Sequence, residues 1–195
     1  MHVAPAFSCL EIVDSIYKKM KPTDTFIMSK GHGAMAQYVV LEDMGLLTLD
    51  DYGKSIGCHP DLGVPGIAAS TGSLGHGLAM ALGIAYAEPQ NWVYVLLSDG
   101  ECMEGSTWEA LMLANTLKIA NLTIYVDYNG THSSGDIRPA MGNLQHKMAV
   151  FCPFLDVRVV ETTKGKGVSY MENSPLWHYR SPTPSEYQQA LAELA

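Results

Sequence analysis

Trp92-Val-Tyr-Val-Leu-Leu-Ser-Asp-Gly-Glu101 is an apolar run that stops on an acidic, glycine-containing turn, and Leu122-Thr-Ile-Tyr-Val-Asp-Tyr-Asn-Gly130 repeats that form. The runs Trp92–Leu97 and Leu122–Val126 are short and rich in β-branched and aromatic residues, as buried strands are. Between them, Glu104 to Lys118 carries Trp108, Leu111, Leu113 and Leu117 at helical spacing and no Pro. A strand, a helix and a second strand of this length make one parallel crossover unit. Both strands then end on the same edge of the sheet, where open sheets bind ligands. Working outward, Gly33 to Met44 reads as a helix stopped by Gly45. Leu74 to Ala87 reads as a helix of small residues that can approach another backbone closely, and Val157 to Thr162 as a third strand. Ser8-Cys-Leu-Glu11 has the capping-box pattern and is expected to open a helix running to about Met20, followed by a turn at Pro22. Thr183-Pro-Ser-Glu186 has the same pattern, with Pro at the first helical position of a terminal helix. Residues 53–73 hold five Gly and two Pro, which predicts a long loop, and long loops tend to carry function. Alternating strands and helices indicate an α/β fold with a mainly parallel sheet flanked by helices.

A chain of 195 residues with 47% hydrophobic content can bury a core as one domain. Charged residues make up only 16%, which leaves a surface suited to being covered by a partner. The net charge of −8 disfavours nucleic acid and anionic membranes. There is no apolar run of about twenty residues and no basic-then-apolar leader pattern, so a soluble, cytoplasmic protein is expected. Cys9, Cys58, Cys102 and Cys152 show no Cys-x-x-Cys pairing and read as reduced core thiols.

Asp99 and Asn129, thirty residues apart, would meet at the shared strand edge. Hard oxygen ligands there, with Gly100 leaving the backbone open, suit Mg²⁺ carrying a diphosphate. Histidines form a second constellation: His32 in Ser29-Lys-Gly-His-Gly33, His59 in Gly57-Cys-His-Pro60, His76 in Thr71-Gly-Ser-Leu-Gly-His-Gly77, His178 in Leu176-Trp-His-Tyr179, and His2 near the start. Imidazoles in such loops can donate to a diphosphate or to sugar hydroxyls and can shuttle protons near neutral pH. Gly72-x-x-Gly75-x-Gly77 has the wrong spacing for a dinucleotide fingerprint.

The Asp99–Asn129 spacing resembles the thiamine diphosphate motif, which opens Gly-Asp-Gly and ends about thirty residues later in Asn; here Ser98 replaces the first Gly. With Ser29–Tyr38, Thr71–Ala87 and Lys164-Gly-Lys-Gly-Val-Ser-Tyr-Met-Glu-Asn173 followed by Trp177-His178, the chain resembles transketolases over nearly its whole length. More narrowly, it resembles the N-terminal subunit of split transketolases. The resemblance implies a single thiamine diphosphate domain over residues 1–195, trimmed at its N-terminus and after residue 130. It implies Asp99, Asn129 and the Thr131 carbonyl as metal ligands, for Mg²⁺ or for Ca²⁺ or Mn²⁺ in its place. It implies His32, Gly72, Leu74, Gly100, Glu101, Asn129 and His178 on the cofactor, with the Gly72 carbonyl accepting from the aminopyrimidine. His2, His59 and His178 would be catalytic. His76, where many members have Gln, would be a cofactor-side or interface residue.

The same resemblance implies that the glutamate needed to activate thiamine diphosphate, with the residues holding a sugar phosphate, lies on a pyrimidine-binding domain not contained in these 195 residues. Glu101, Glu104 and Glu109 belong to the diphosphate side and cannot replace it. The expectation is half of an enzyme that transfers a two-carbon ketol unit between sugars or sugar phosphates, assembled as two copies of this chain with two of a partner. Half of another thiamine diphosphate enzyme (2-oxo acid decarboxylase or dehydrogenase type) and a non-catalytic binding remnant are the alternatives.

Overall fold

The computed structural model describes residues 2–132 and 135–195, the side chain of His132 excepted. Helix α1 (Val3–Tyr17) leads into strand β1 (Thr25–Met28) and helix α2 (Ala34–Asp43). Helix α3 (His76–Ala87), strand β2 (Val93–Ser98), helix α4 (Gly105–Leu117) and strand β3 (Leu122–Tyr128) follow. Two-residue strands β4 (Thr131–His132) and β5 (Gly135–Asp136) pair with each other, before helices α5 (Arg138–Met141) and α6 (Leu144–Phe151). Strand β6 (Asp156–Glu161) and helix α7 (Pro184–Leu194) complete the order.

The main sheet has the order β1-β2-β3-β6 and is parallel throughout. Side chains alternate between its faces. Val93, Val95, Leu97, Ile124 and Val126 pack with Leu78, Ala81 and Leu82 of α3, Leu111 and Ala114 of α4, and Met148 of α6. Phe26, Met28, Leu96 and Tyr125 point the other way, into Ile12, Val13 and Ile16 of α1 and Ala36 and Val40 of α2. Helices therefore cover both faces, as a parallel sheet requires. Each fully buried Leu or Ile contributes about 1.5–3 kcal/mol.

The structure departs from the sequence reading at Ser8, at β1 and at the start of α3. Ser8 does not cap a helix: α1 starts at Val3, with Pro5 in its first turn, where its missing N–H costs nothing. Ser8 is buried mid-helix, and its hydroxyl donates to Pro5 O at 3.0 Å and to Asp127 Oδ2 at 2.5 Å. β1 is an added strand; its four residues follow the Pro22 turn with no alternation to mark them. The Thr183 capping box is present as read, with the Glu186 side chain bonded back to Thr183 N–H. Helix α3 opens at His76 rather than Leu74 and approaches β1 through Gly77, where an added Cβ would lie 2.7 Å from Ser29 Cα.

Candidate active site

All four strands of the main sheet end at one cavity of about 270 Å³. After β1 come Lys30 and His32; at the end of β2, Ser98, then Asp99 and Gly100; after β3, Asn129 and Thr131; after β6, Lys164. The long loop adds His59, Gly72 and Leu74. His2, His178 and Tyr179 close one side. The segment 164–195 reaches this side because Val168, Met171, Trp177 and Ala190 form a small core with Ala4 at the start of α1. Gly165 N–H also donates to Ala4 O at 3.0 Å.

The histidines converge. The His2 ring lies 5.9 Å from His32, 5.6 Å from His59 and 5.5 Å from His178, centroid to centroid, and His32 lies 5.3 Å from His178. His2 Nδ1 donates to the His178 carbonyl at 2.8 Å, which ties the start of α1 to the far end of the chain. Lys164 Nζ donates to His178 Nδ1 at 2.9 Å. Burial, then the positive charge of Lys30, pulls the Lys164 ammonium down to about 8. Burial, then Lys30, also holds His32 well below the usual imidazole range. His2 is lowered by burial, partly offset by its bond to the His178 carbonyl. Lys30, 1% exposed, stays charged: burial alone would lower it, but its ion pair with Asp127 outweighs this. Asp127 is committed to that pair, to Ser8 and to Thr162. The cavity is thus lined by several basic groups and by the Asp99 carboxylate, an environment short of negative charge.

Asp99 sits where two loops meet. Its Oδ1 accepts the Gly100 N–H at 2.8 Å and its Oδ2 the Gly130 N–H at 2.6 Å. Asn129 Oδ1 accepts the Thr131 N–H at 3.0 Å. Among the described residues no group of three or more His, Cys, Asp or Glu is placed to hold a metal. A metal here would use one carboxylate and neutral oxygens (Asp99, Asn129, the Thr131 carbonyl), each with a lone pair beyond its present bond. That donor set fits Mg²⁺, which takes few protein ligands and shares phosphate oxygens. Gly72 seats the His59 ring: its φ is +140°, and an added Cβ would lie 3.0 Å from His59 Cδ2.

Some expected site residues fall elsewhere. Glu101 is 0% exposed and outside the cavity lining. Its carboxylate accepts Ser29 Oγ at 2.5 Å, Gly75 N–H at 3.0 Å and Ser98 N–H at 2.9 Å, so it fixes the start of α3 against β1 and β2. Gly100 does line the cavity, with its N–H given to Asp99. His76 is exposed at the start of α3, outside the lining. Cys58 is exposed rather than a core thiol; Cys9, Cys102 and Cys152 are buried, and all four are unpaired. Lys30 and Lys164 were missed as lining residues, although each lies in a quoted loop motif between strand and glycine, the signal that could have marked them.

Residues 7–151 match the family model for transketolase, thiamine diphosphate binding domain. The chain belongs to that transketolase family. A Phocaeicola vulgatus protein whose name makes it one subunit of an apulose-4-phosphate transketolase is 34% identical over 241 residues, covering 100% of this chain and 86% of its own length. A protein of Clostridium sp. named 6-deoxy-6-sulfo-D-fructose transketolase subunit SqwG is 31% identical over 242 residues, covering 99% and 88%. Both alignments run longer than the 195 residues of this transketolase-family chain. The relatives therefore carry internal segments that it lacks. Transketolase from Leishmania mexicana superposes with a TM-score of 0.82 at 24% identity over 98% of this chain, which spans 40% of that one. That likeness bears on the fold. Among the described residues no helix is long and apolar enough to cross a membrane.

Proposed function

We propose that residues 1–195 act as one domain, the diphosphate-binding subunit of a two-chain transketolase that depends on thiamine diphosphate and Mg²⁺ and moves a two-carbon ketol unit from a ketose to an aldose, either of which can be a phosphate ester. The observation that carries this reading is the convergence of Asp99, Asn129 and Thr131 with a ring of His and Lys side chains at the C-terminal edge of one parallel sheet. Asp99, Asn129 and the Thr131 carbonyl would hold Mg²⁺, with Ca²⁺ or Mn²⁺ able to substitute. His32, Lys164 and His178 would face the diphosphate, whose negative charge returns to them the solvation lost on burial. Gly72 and Leu74 would seat the aromatic part of the cofactor.

Thiamine diphosphate, when bound, supplies a nucleophilic thiazolium carbon that stores the electron pair released on C–C cleavage. Within this chain, His59 and His178 would donate to substrate hydroxyl and carbonyl oxygens, and His2, whose Nδ1 proton is given to the His178 carbonyl, would accept a proton there. Among the described residues, Asp99 is the carboxylate that lines the cavity, and Glu101 is committed to Ser29, Gly75 and Ser98. The activating glutamate would therefore come from a partner carrying the pyrimidine domain, with two copies of each chain in the assembly. The names of the two relatives, each given as one part of a transketolase, support a separate partner.

Mixing the purified chain with its partner, Mg²⁺ and thiamine diphosphate and following ketol transfer tests this. Turnover is expected only in the mixture. Turnover by this chain alone would overturn the two-chain reading. Decarboxylation of a 2-oxo acid without ketol transfer would favour another thiamine diphosphate enzyme, and failure of the mixture to bind the cofactor would favour a binding remnant.

A further inference from the structure

The loop that delivers His59 to the cavity places a thiol on the ring itself. Cys58 is exposed, and its Sγ lies 3.2 Å from His59 Nδ1. We propose that Cys58 is a positioning residue: its S–H donates to Nδ1, which fixes both the flip of the His59 ring and the position of its proton on Nε2.

The rest of the residue is already held, which leaves the orientation of the ring's two edges as the open variable. The Tyr38 hydroxyl, fully buried, donates to the His59 carbonyl at 2.7 Å. Thr71 N–H donates to the Pro60 carbonyl at 3.2 Å, closing the loop behind the histidine. The ring's Cδ2 edge packs where Gly31 and Gly72 leave no room: a Cβ on either would lie 3.0 Å from it. A half-turn of the ring about its χ2 axis would exchange Cδ2 for Nδ1 and press a polar nitrogen against those backbones without a partner. The thiol bond opposes that exchange. A neutral imidazole has one donor and one acceptor nitrogen, and the partner of one sets the proton on the other. With Nδ1 accepting from sulfur, Nε2 carries the proton, and His59 enters the cavity as a hydrogen-bond donor suited to an alcohol or carbonyl oxygen. The backbone and ring contacts hold without the thiol, so replacing Cys58 should leave the fold intact while releasing the tautomer.

This rests on the proposed role of His59 toward a sugar oxygen, but the ring proton can be read without turnover. The test is long-range ¹H–¹⁵N correlation of the full-length ¹⁵N-labelled chain at about pH 7.5, between the ordinary imidazole and thiol values so that a thiol still carries its proton, with the His59 signals assigned by their loss in His59→Gln. Wild type should show the Nε2–H form. In Cys58→Ala the Nδ1–H form should rise about threefold or more, as expected on losing one net hydrogen bond. Cys58→Ser, which keeps a donor, should restore the wild-type pattern. With partner and cofactor, kcat/KM should fall about three- to tenfold in Cys58→Ala and stay within about twofold in Cys58→Ser. An Nδ1–H form in wild type, or identical spectra for wild type and Cys58→Ala, would overturn the proposal. A wild-type complex without ketol transfer would count against the proposed function while leaving the spectroscopic result to decide on Cys58.

Discussion

The Asp99 carboxylate accepts the Gly130 N–H at 2.6 Å, so the turn after β2 holds the turn after β3. Its other oxygen accepts the Gly100 N–H at 2.8 Å. In Asp99→Asn the side-chain NH₂ must face one of these two N–H groups, donor against donor, at a cost of about 1–3 kcal/mol in a buried setting. The charge a divalent cation needs is lost as well. Thiamine diphosphate and Mg²⁺ should bind the complex at least about tenfold more weakly, which corresponds to roughly 1.4 kcal/mol. Calorimetric titration measures this, and unchanged affinity would remove Asp99 from the ligand set.

Gly77→Ala tests the close seat of α3. The new Cβ would lie 2.7 Å from Ser29 Cα and nearer still to the Ser29 side chain, so backbone must move. Ser29 Oγ also donates to Glu101, which accepts the Gly75 N–H at 3.0 Å, and these bonds loosen with it. Overpacking of this kind costs about 1–3 kcal/mol. The urea midpoint should fall by that equivalent; an unshifted midpoint would mean the helix does not approach β1 this closely.

Gln145 guards the outer edge of β6. Its amide donates to the Val157 carbonyl at 2.8 Å and its Oε1 accepts the Val159 N–H at 3.0 Å, the pair of bonds a further strand would make. Gln145→Ala hands that edge to solvent. We expect about 0.5–1.5 kcal/mol of lost stability and more self-association, since an unpaired parallel edge recruits other chains. Thermal melting and light scattering at equal concentration would show both effects, and neither should appear if the edge is covered in another way.

The β2–α4–β3 unit was legible because its strands are apolar, its helix has 3.6 periodicity and its turns carry Asp99 and Asn129. β1 was not, because Thr25–Met28 is a four-residue apolar run that periodicity cannot assign. Ser8 was misread because its hydroxyl serves Asp127, a partner 119 residues away, and the capping pattern is blind to tertiary bonds. In the site, the motif histidines and glycines could be read, since loop glycines mark close approach. The structural roles of Glu101 and Asp127 could not. A buried carboxylate with three donors and an exposed one facing a ligand look alike until the fold brings their partners together.

His32 should make the chain acid-sensitive. Burial, then Lys30, lowers its pKa below the ordinary 6.5, so the folded ring stays neutral where the unfolded one takes up a proton. Above pH 6.5 both states are neutral and the stability is fully present. As pH falls from 6.5 toward the folded value the unfolded state binds more protons, and stability drops by up to about 1.4 kcal/mol per pH unit. His2 acts in the same direction. Urea midpoints of wild type and His32→Gln below pH 6.5 compare the slopes, and the variant should be the flatter. Equal slopes would show that His32 is protonated in the folded chain.

His2 makes the sharpest demand on the fold, because a proton-handling group needs fixed geometry. Here the position is held within the chain. His2 precedes the first turn of α1, its Nδ1 donates to the His178 carbonyl, and its ring lies 4.8 Å from that of Tyr179. With Nδ1 taken, Nε2 is left to accept a proton, and burial, which lowers its pKa, keeps the ring neutral and able to do so. His2→Ala should therefore lower the rate with the partner present by about ten- to a hundredfold, within or below the range for losing one proton-transfer or oxyanion group. Cofactor affinity should hold, because His32, Lys164 and His178 remain. Steady-state kinetics and calorimetry on the same preparation separate the possibilities: a wild-type rate would mean that His2 is held without being used, and a parallel loss of cofactor binding would mean that its bond to His178 shapes the diphosphate site instead.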